Sequence, residues 1–153
     1  MPELDIQIAT DITPLPSSDD LYAWFTAALP SDKNDSEMTI RIVDINESQT
    51  LNATYRGKDK PTNVLSFPAD LPAEVNIPLL GDLVICTQIV SEEANAQAKT
   101  INAHWAHMVI HGTLHLLGYD HENDDDACIM EGLEISLLDS LGFPNPYTDN
   151  NAV

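Results

Sequence analysis

The 153-residue sequence predicts an α+β fold, a single domain in which a small mixed sheet of about four strands packs with five or six helices. Short apolar or alternating segments recur in the first half of the chain, which is typical of strands. Longer segments with apolar residues three or four positions apart are typical of helices. Residues 100–119 contain no Asp, Glu, Lys or Arg and predict a histidine-bearing helix that is buried on nearly all sides.

The first third of the chain is predicted to form a strand, a helix and a second strand. Residues 4–9 alternate apolar and polar side chains, as expected for a strand with one buried face. Residues 18–29 place four apolar side chains on one face of an amphipathic helix, which ends before Pro30. Residues 38–43 alternate again and predict the second strand.

The middle of the chain is predicted to contain a short helix and two further strands. Residues 46–55 form the helix, because their apolar side chains lie one turn apart. Residues 63–67 are strand-like. Residues 70–78 contain two prolines and no periodicity, so we expect an exposed loop. Residues 83–86 form a short apolar run that predicts a central strand.

The last part of the chain is predicted to contain three helices and a tail. The first helix covers residues 87–98 and the second, uncharged helix covers residues 101–117. The third begins near Asn123, where three aspartates in the first turn complement the helix dipole. We expect it to end near Gly142 and residues 145–153 to form a flexible tail. The predicted buried stripe of this last helix consists of Met130, Leu133, Leu137 and Leu141.

Three histidines between residues 111 and 121 follow the spacing H-x3-H-x5-H. On a helix, His111 and His115 lie about 40° apart and roughly 6 Å apart along the axis, so both imidazoles can reach one ion. A third ligand farther along the same helix would lie about 12 Å away, so the chain must turn back. Gly118 permits this turn, because glycine accepts the left-handed conformation that ends helices. His121 then becomes the third ligand of an open, catalytic type of zinc site.

The predicted cofactor is one Zn²⁺ per chain, although nickel, copper and iron also suit histidine sites. His104 and His107 share the same helix face, and we expect them to line a polar seam or to support the metal ligands from behind. A direct role of His107 at the metal is the alternative. Gly112 occupies the position where metzincin peptidases carry the glutamate that acts as general base. Since glycine has no side chain to accept a proton, peptide hydrolysis by that route is disfavoured.

The net charge of −19, from 25 acids against 6 Lys+Arg, should repel nucleic acids, including DNA, over most of the surface. Three of the six cations form one cluster, Arg56, Lys58 and Lys60. We expect this cluster to bind the phosphates of any polyanion that the protein accepts. Arg56 is the best candidate to stabilise developing charge, because a guanidinium fits a phosphate bidentately. For each lysine, an ordinary solvated loop charge is the alternative interpretation.

The expected compartment is the cytoplasm. The first residues have neither a basic region nor a long apolar run, so no signal peptide is expected. Cys86 and Cys128 are isolated, which favours reduced cysteines. The uncharged stretch is long enough to span a membrane. Its four histidines, Asn102 and Thr113 favour a buried helix and no membrane association.

Three segments of the sequence resemble the bacterial YbeY family of single-strand-specific metallo-endoribonucleases. Residues 52–58, with the sequence NATYRGK, lead into residues 61–68, with the sequence PTNVLSFP. Residues 80–86, LGDLVIC, resemble the central strand of the family. Residues 111–121 match the motif H-G-x-L-H-L-x-G-Y-D-H at every fixed position. The resemblance covers most of the chain.

The resemblance implies that zinc is held by His111, His115 and His121 and that Arg56 is required for function. It implies cytoplasmic cleavage of single-stranded ribosomal RNA, in maturation of the 3′ end of 16S rRNA and in ribosome quality control. It also implies contacts with ribosomal proteins of the small subunit and with an assembly GTPase. On this interpretation Arg56 and His111 are the predicted catalytic residues.

Two acids of the resembling segments are candidates to orient histidines by accepting hydrogen bonds, Asp82 and Asp120. The alternatives are a turn residue for Asp82 and an ordinary loop acid for Asp120. Two other functions also stay open. The protein could be a different zinc hydrolase, acting on a peptide or a small molecule, or a non-catalytic ribosome-assembly factor whose metal is structural.

Overall fold

The computed structural model describes residues 1–72, 74–75 and 77–147. This part of the chain contains four strands and five α-helices, with one turn of 3-10 helix at Ser31–Lys33. In chain order the elements are β1 (Glu3–Ala9), α1 (Ser18–Ala27), β2 (Glu37–Val43), α2 (Ile45–Arg56), β3 (Val64–Pro68), β4 (Leu79–Cys86), α3 (Thr87–Ala96), α4 (Ile101–Leu116) and α5 (Asp124–Ser140).

The four strands form one mixed sheet in the order β1-β2-β4-β3. Strand β2 pairs parallel with β1 and with β4, and β3 pairs antiparallel with β4 at the edge of the sheet. The predicted α+β fold with a small mixed sheet is thereby confirmed. Strand β4 begins at Leu79, earlier than the predicted start at Leu83, because its first residues pair with Glu37 and Met38 at the start of β2. That pairing joins segments that are distant in the sequence, so the local apolar pattern cannot predict it.

Helices cover both faces of the sheet unequally. Strand residues alternate between the faces, so each face builds its own core. Helices α1, α4 and α5 pack on one face, where the main core includes Phe25, Ile40, Ile42, Leu83, Ile85, Trp105 and Met130. Helix α2 packs on the other face, where a smaller cluster consists of Val43, Leu65, Val84 and Cys86 with Ile45 and Leu51.

The uncharged helix α4 lies at the centre of the helical layer. It contacts α1, α3, α5, β3 and β4, and eleven of its sixteen residues are buried. Its first turn is capped by Thr100, whose Oγ1 accepts a hydrogen bond from the backbone N–H of Ala103 at 3.1 Å. The absence of charged side chains is therefore explained by burial within the domain. Among the described helices, none has the length and apolar character needed to cross a membrane.

Gly112 lies where α4 crosses β4. A Cβ atom at this position would stand 2.6 Å from Cδ2 and 2.9 Å from Cδ1 of Leu83, and Leu83 is fully buried. The glycine therefore lets the helix approach the sheet closely. A glutamate side chain at the same position would be directed at the core. Close packing against Leu83 therefore explains why a glutamate does not fit at this position.

We expect Gly112→Ala to lower the free energy of unfolding by about 1–3 kcal/mol, because overpacking against Leu83 outweighs the better helix propensity of alanine. Urea unfolding measures this change. Gly132→Ala is the matched control, since a Cβ at Gly132 of α5 would meet no atom within 4 Å, and it should stabilise the protein slightly. A Gly112→Ala variant as stable as Gly132→Ala would contradict the close packing of α4 on β4.

The buried face of α5 differs from the predicted stripe. Met130, Glu134 and Leu138 are the buried residues of this helix, whereas Leu133 and Leu137 are only partly buried. The prediction from the apolar pattern leaves out position 134, because an acid is normally assigned to solvent. The face of α5 that packs on the domain therefore carries a carboxylate into the interior.

Candidate metal centre

After α4 ends, the chain reverses direction and hydrogen-bonds to the last turn of that helix. The backbone N–H of Gly118 donates to the carbonyl of His115 at 3.0 Å, and the N–H of Tyr119 donates to the carbonyl of Leu114 at 3.0 Å. Gly118 has φ 104°, so it adopts the positive φ that the sequence predicts for this turn. His121 follows on the returning segment. The turn therefore brings His121 back beside the histidines of α4.

The imidazoles of His111, His115 and His121 converge at this turn. Their ligand atoms all lie within 4.8 Å of one another. Their ring centroids form a triangle, with distances of 4.8 Å from His115 to His111, 4.9 Å from His115 to His121 and 5.5 Å from His111 to His121. Nitrogens bound to one tetrahedral zinc at about 2.1 Å lie about 3.4 Å apart, so small side-chain rotations bring all three to one ion. The donor set therefore fits Zn²⁺.

The three histidines share one cleft of about 860 Å³ with the cluster of Arg56, Lys58 and Lys60. The cluster begins at the end of α2, where Gly57 takes a left-handed conformation with φ 68°. The Nη2 of Arg56 donates a hydrogen bond to the carbonyl of Ser66 on the edge strand β3 at 2.8 Å. The structure thus places the candidate metal ligands and the candidate phosphate-binding residues in one cleft.

Buried polar side chains of α2 hold the loop that carries the two lysines. The Nδ2 of Asn52 donates to the carbonyl of Lys60 at 2.8 Å. The Oγ of Ser48 donates to the carbonyl of Thr62 and accepts from its N–H, both at 3.0 Å. Asn52 and Ser48 are buried, so these hydrogen bonds are shielded from water. The loop is therefore fixed against α2 at Lys60 and Thr62.

The two acids predicted to orient histidine rings lie in different places. Asp120 lines the cleft, but its Oδ1 accepts a hydrogen bond from the backbone N–H of His121 at 2.7 Å and so orients the main chain. Asp82 is exposed on β4 and lines a separate hollow with Arg41 and Tyr55. Its neighbour Leu83 faces α4, so Asp82 faces the opposite side of the sheet. The structure does not bring Asp82 to the histidines.

A carboxylate that the sequence pattern missed, Glu134 of α5, lies behind the metal ligands. Its Oε1 is 2.5 Å from Nδ1 of His111 and 3.3 Å from Nε2 of His107, and the residue is fully buried. Burial alone would raise the pKa of Glu134, but hydrogen bonds from His107 and His111 lower it to about 2. The carboxylate is therefore ionised. The signal that could have revealed it is an acid one turn after Met130, inside an apolar stripe.

His104 and His107 form the polar seam that the sequence predicts. The Nε2 of His104 lies 2.9 Å from Oε1 of Glu93, and Asn63 donates to the same carboxylate at 3.0 Å. The Nε2 of His107 lies 3.3 Å from the hydroxyl of Tyr147. Tyr147 belongs to the predicted tail, residues 145–153, and its hydroxyl contacts the domain. Residues 148–153 of the predicted tail lie outside the described residues.

Zinc affinity and the stability of the metal-free protein should both fall as the pH drops below about 6.5. Burial, His111 and His121 lower the pKa of His115, so its imidazole is neutral at pH 7, the form that binds a metal. Between that lowered pKa and the unfolded value, the unfolded chain binds more protons than the folded chain. The contribution of His115 to the free energy of unfolding is therefore fully present above this pH window and is lost as the pH falls through it.

Urea unfolding of metal-free protein and zinc titration, each at about pH 7.5 and about pH 5.5, measure the two effects. The control is His115→Asn, in which the stability should depend less on pH within this window. Unchanged stability and unchanged zinc affinity of the wild-type protein between the two pH values would contradict the prediction.

Comparison with known proteins identifies a family and similar solved structures. Residues 10–142 match the family described as Endoribonuclease YbeY. The chain is also similar to TM1509 from Thermotoga maritima, whose solution structure matches with a TM-score of 0.61 at 26% sequence identity. That match covers 98% of this chain and 99% of the other. Since the family match runs from before α1 to beyond α5 and includes every residue of the cleft, the chain belongs to the YbeY endoribonuclease family.

Proposed function

We propose that this chain is a zinc-dependent, single-strand-specific endoribonuclease of the cytoplasm. Its proposed roles are the processing of ribosomal RNA, including maturation of the 3′ end of 16S rRNA, and ribosome quality control. The observation that supports this proposal is the shared cleft, where three convergent imidazoles lie with Arg56, Lys58 and Lys60 in a member of an endoribonuclease family.

The residues of the cleft have different proposed roles in the reaction. Zinc held by the three histidines would supply a Lewis acid to an oxygen of the scissile phosphodiester. Within the described part of the chain, Arg56 donates one N–H group to Ser66, and its other N–H groups can bind the phosphate and stabilise the charge that develops there. Lys58 and Lys60 bind neighbouring phosphates. This division places the reacting phosphate between the imidazoles and the guanidinium.

Charge favours a single point of entry for the RNA. The net charge of −19 repels a polyanion over most of the surface, whereas half of the six Lys and Arg residues line this cleft. Ribosomal RNA is the proposed substrate, and DNA is expected to be excluded. Ribosomal proteins of the small subunit and an assembly GTPase are the proposed protein partners.

The decisive experiment is cleavage of a single-stranded RNA by purified zinc-loaded protein. Metal-free protein, His115→Ala and Arg56→Ala are the comparison samples, and duplex RNA and single-stranded DNA of the same sequence are the comparison substrates. We expect efficient cleavage only of the single-stranded RNA and only by the zinc-loaded wild-type protein. If all four preparations cleave equally, the activity comes from a contaminant and the proposal fails.

Binding of the RNA should weaken with salt, because three cations of the cleft release counterions from phosphates. Three contacts to a single strand predict a slope of about −2 for log K against log salt concentration, and Lys58→Ala or Lys60→Ala should each reduce it by about 0.7. Fluorescence anisotropy at several salt concentrations measures the slope. Lys33→Ala, in the 3-10 turn outside the cleft, is the control and should leave it unchanged. A slope near zero would contradict phosphate binding by this cluster.

A further inference from the structure

We propose that Glu134 and Tyr147 are positioning residues of the metal centre. Together they hold the imidazole of His111 so that its Nε2 faces the cleft. On this proposal the segment that follows α5 contributes a positioning residue, Tyr147, to the metal centre. The inference rests on the proposed zinc site and extends it to two residues on a different helix and in the C-terminal segment.

The two nitrogens of His111 have different surroundings. The Nδ1 lies 2.5 Å from the buried carboxylate of Glu134, the distance of a strong hydrogen bond. Because a carboxylate oxygen accepts hydrogen bonds, Nδ1 carries the proton and donates it, which leaves Nε2 unprotonated and free for a ligand. Metal-binding histidines are commonly held in this way by a carboxylate on the opposite nitrogen. Glu134 therefore fixes both the tautomer and the ring orientation of His111.

An alternative function for the same atoms is a second metal site, because His107, His111 and Glu134 also offer ligand atoms that lie close together. Two ligands of one tetrahedral ion lie about 3.3 Å apart. The separation of 2.5 Å between His111 Nδ1 and Glu134 Oε1 is shorter than that and matches a direct hydrogen bond. The geometry therefore favours a hydrogen-bonded network behind one ion.

Tyr147 fixes the carboxylate in turn. Its hydroxyl donates a hydrogen bond to Oε2 of Glu134 and lies 3.3 Å from Nε2 of His107. Burial and the Glu134 carboxylate raise the pKa of Tyr147, so the phenol keeps its proton and acts as the donor. The segment is anchored by Phe143, whose ring packs edge-on against Trp24 at a centroid distance of 6.2 Å. One oxygen of Glu134 thus faces the histidines and the other is held by the C-terminal segment.

The test is zinc affinity, measured by competition with a chromogenic chelator and without any RNA. Glu134→Ala should weaken zinc binding about 10–100-fold. Glu134→Gln keeps an acceptor for Nδ1 but loses the charge, so its affinity should lie between those of the wild type and Glu134→Ala. Tyr147→Phe should weaken binding by a smaller factor, about tenfold at most. The matched control is Tyr22→Phe, which removes a tyrosine hydrogen bond to the carbonyl of Pro2 and should leave zinc affinity unchanged.

Absorption spectra of the cobalt-substituted proteins add a second readout, because a tilted His111 changes the ligand field while a loss of stability alone does not. Wild-type zinc affinity in folded Glu134→Gln and Tyr147→Phe, as judged by circular dichroism, would overturn the inference even if both unfold more easily. A wild-type protein that binds zinc but cleaves no RNA would refute the nuclease proposal and leave this inference standing. A wild-type protein that binds no zinc would refute both.

Discussion

His115→Ala should abolish tight zinc binding and lower the rate of RNA cleavage by about a thousandfold. His115 is one of the three candidate ligands, and its ring lies 4.8 Å from that of His111 and 4.9 Å from that of His121. Without it the two remaining imidazoles cannot hold the ion in an open three-histidine site. A bound metal contributes several kcal/mol of charge stabilisation in the transition state, and about 1.4 kcal/mol corresponds to each factor of ten in rate.

Zinc content by mass spectrometry and single-turnover cleavage of RNA measure the two losses. His104→Gln is the matched control, because it replaces another imidazole of α4 and keeps a donor for Glu93. That variant should retain zinc and activity. If His115→Ala keeps one zinc per chain and full activity, then the three histidines are not the functional metal site and the cleft needs another explanation.

The metal ligands could be predicted from the sequence because their geometry is local. One helix turn relates His111 to His115, and the limited reach of the helix requires a break before a third ligand can return. Gly118 provides that break, and its positive φ is the conformation the prediction requires. The buried helix was equally predictable, since a stretch without charged side chains has few other places in a folded domain. In both cases the information lies within about twenty consecutive residues.

The supporting residues could not be predicted because their contacts join distant parts of the chain. Glu134 lies 23 positions after His111, and Tyr147 lies 40 positions after His107. An acid in an apolar stripe is normally assigned to solvent, and a polar C-terminal segment is normally assigned to a tail. Only the packing of α5 on α4 shows that both side chains turn inward. Asp82 lies within β4 rather than in a turn for a related reason, because β4 pairs with β2 along this stretch.

Gly112 shows how one residue serves both the fold and the chemistry. The sequence indicates only that a general base is missing after the first histidine. The structure shows that the position is occupied by the contact with Leu83, so the cleft must take its polar groups from elsewhere. Arg56 of α2 and the loop that follows supply them, across the edge strand β3. The cleft consequently combines the three histidines with cations, whereas a peptidase of similar histidine spacing carries a carboxylate, and this difference favours a phosphodiester as the substrate.

Arg56→Ala should lower kcat for RNA cleavage by about 10²–10³-fold while leaving zinc affinity unchanged. The guanidinium is anchored on the carbonyl of Ser66, so we expect its other N–H groups to reach the phosphate without prior rearrangement. Arg56→Lys keeps the charge but loses the planar, bidentate geometry, and its kcat should lie between those of the wild type and Arg56→Ala. Steady-state kinetics on a short single-stranded RNA, with zinc content measured in parallel, test both variants.

The matched control for Arg56→Ala is Arg41→Ala, because Arg41 is the other arginine of the chain. It is paired with Glu47 at 2.6 Å and lines the separate hollow that contains Asp82, so its removal should leave kcat unchanged. Separate values of kcat and KM distinguish two roles for Arg56. If Arg56→Ala raises KM alone, as we expect for Lys58→Ala, the guanidinium only anchors the RNA. If kcat falls and KM does not, Arg56 acts on the transition state, because uniform binding of substrate and transition state changes KM without changing kcat.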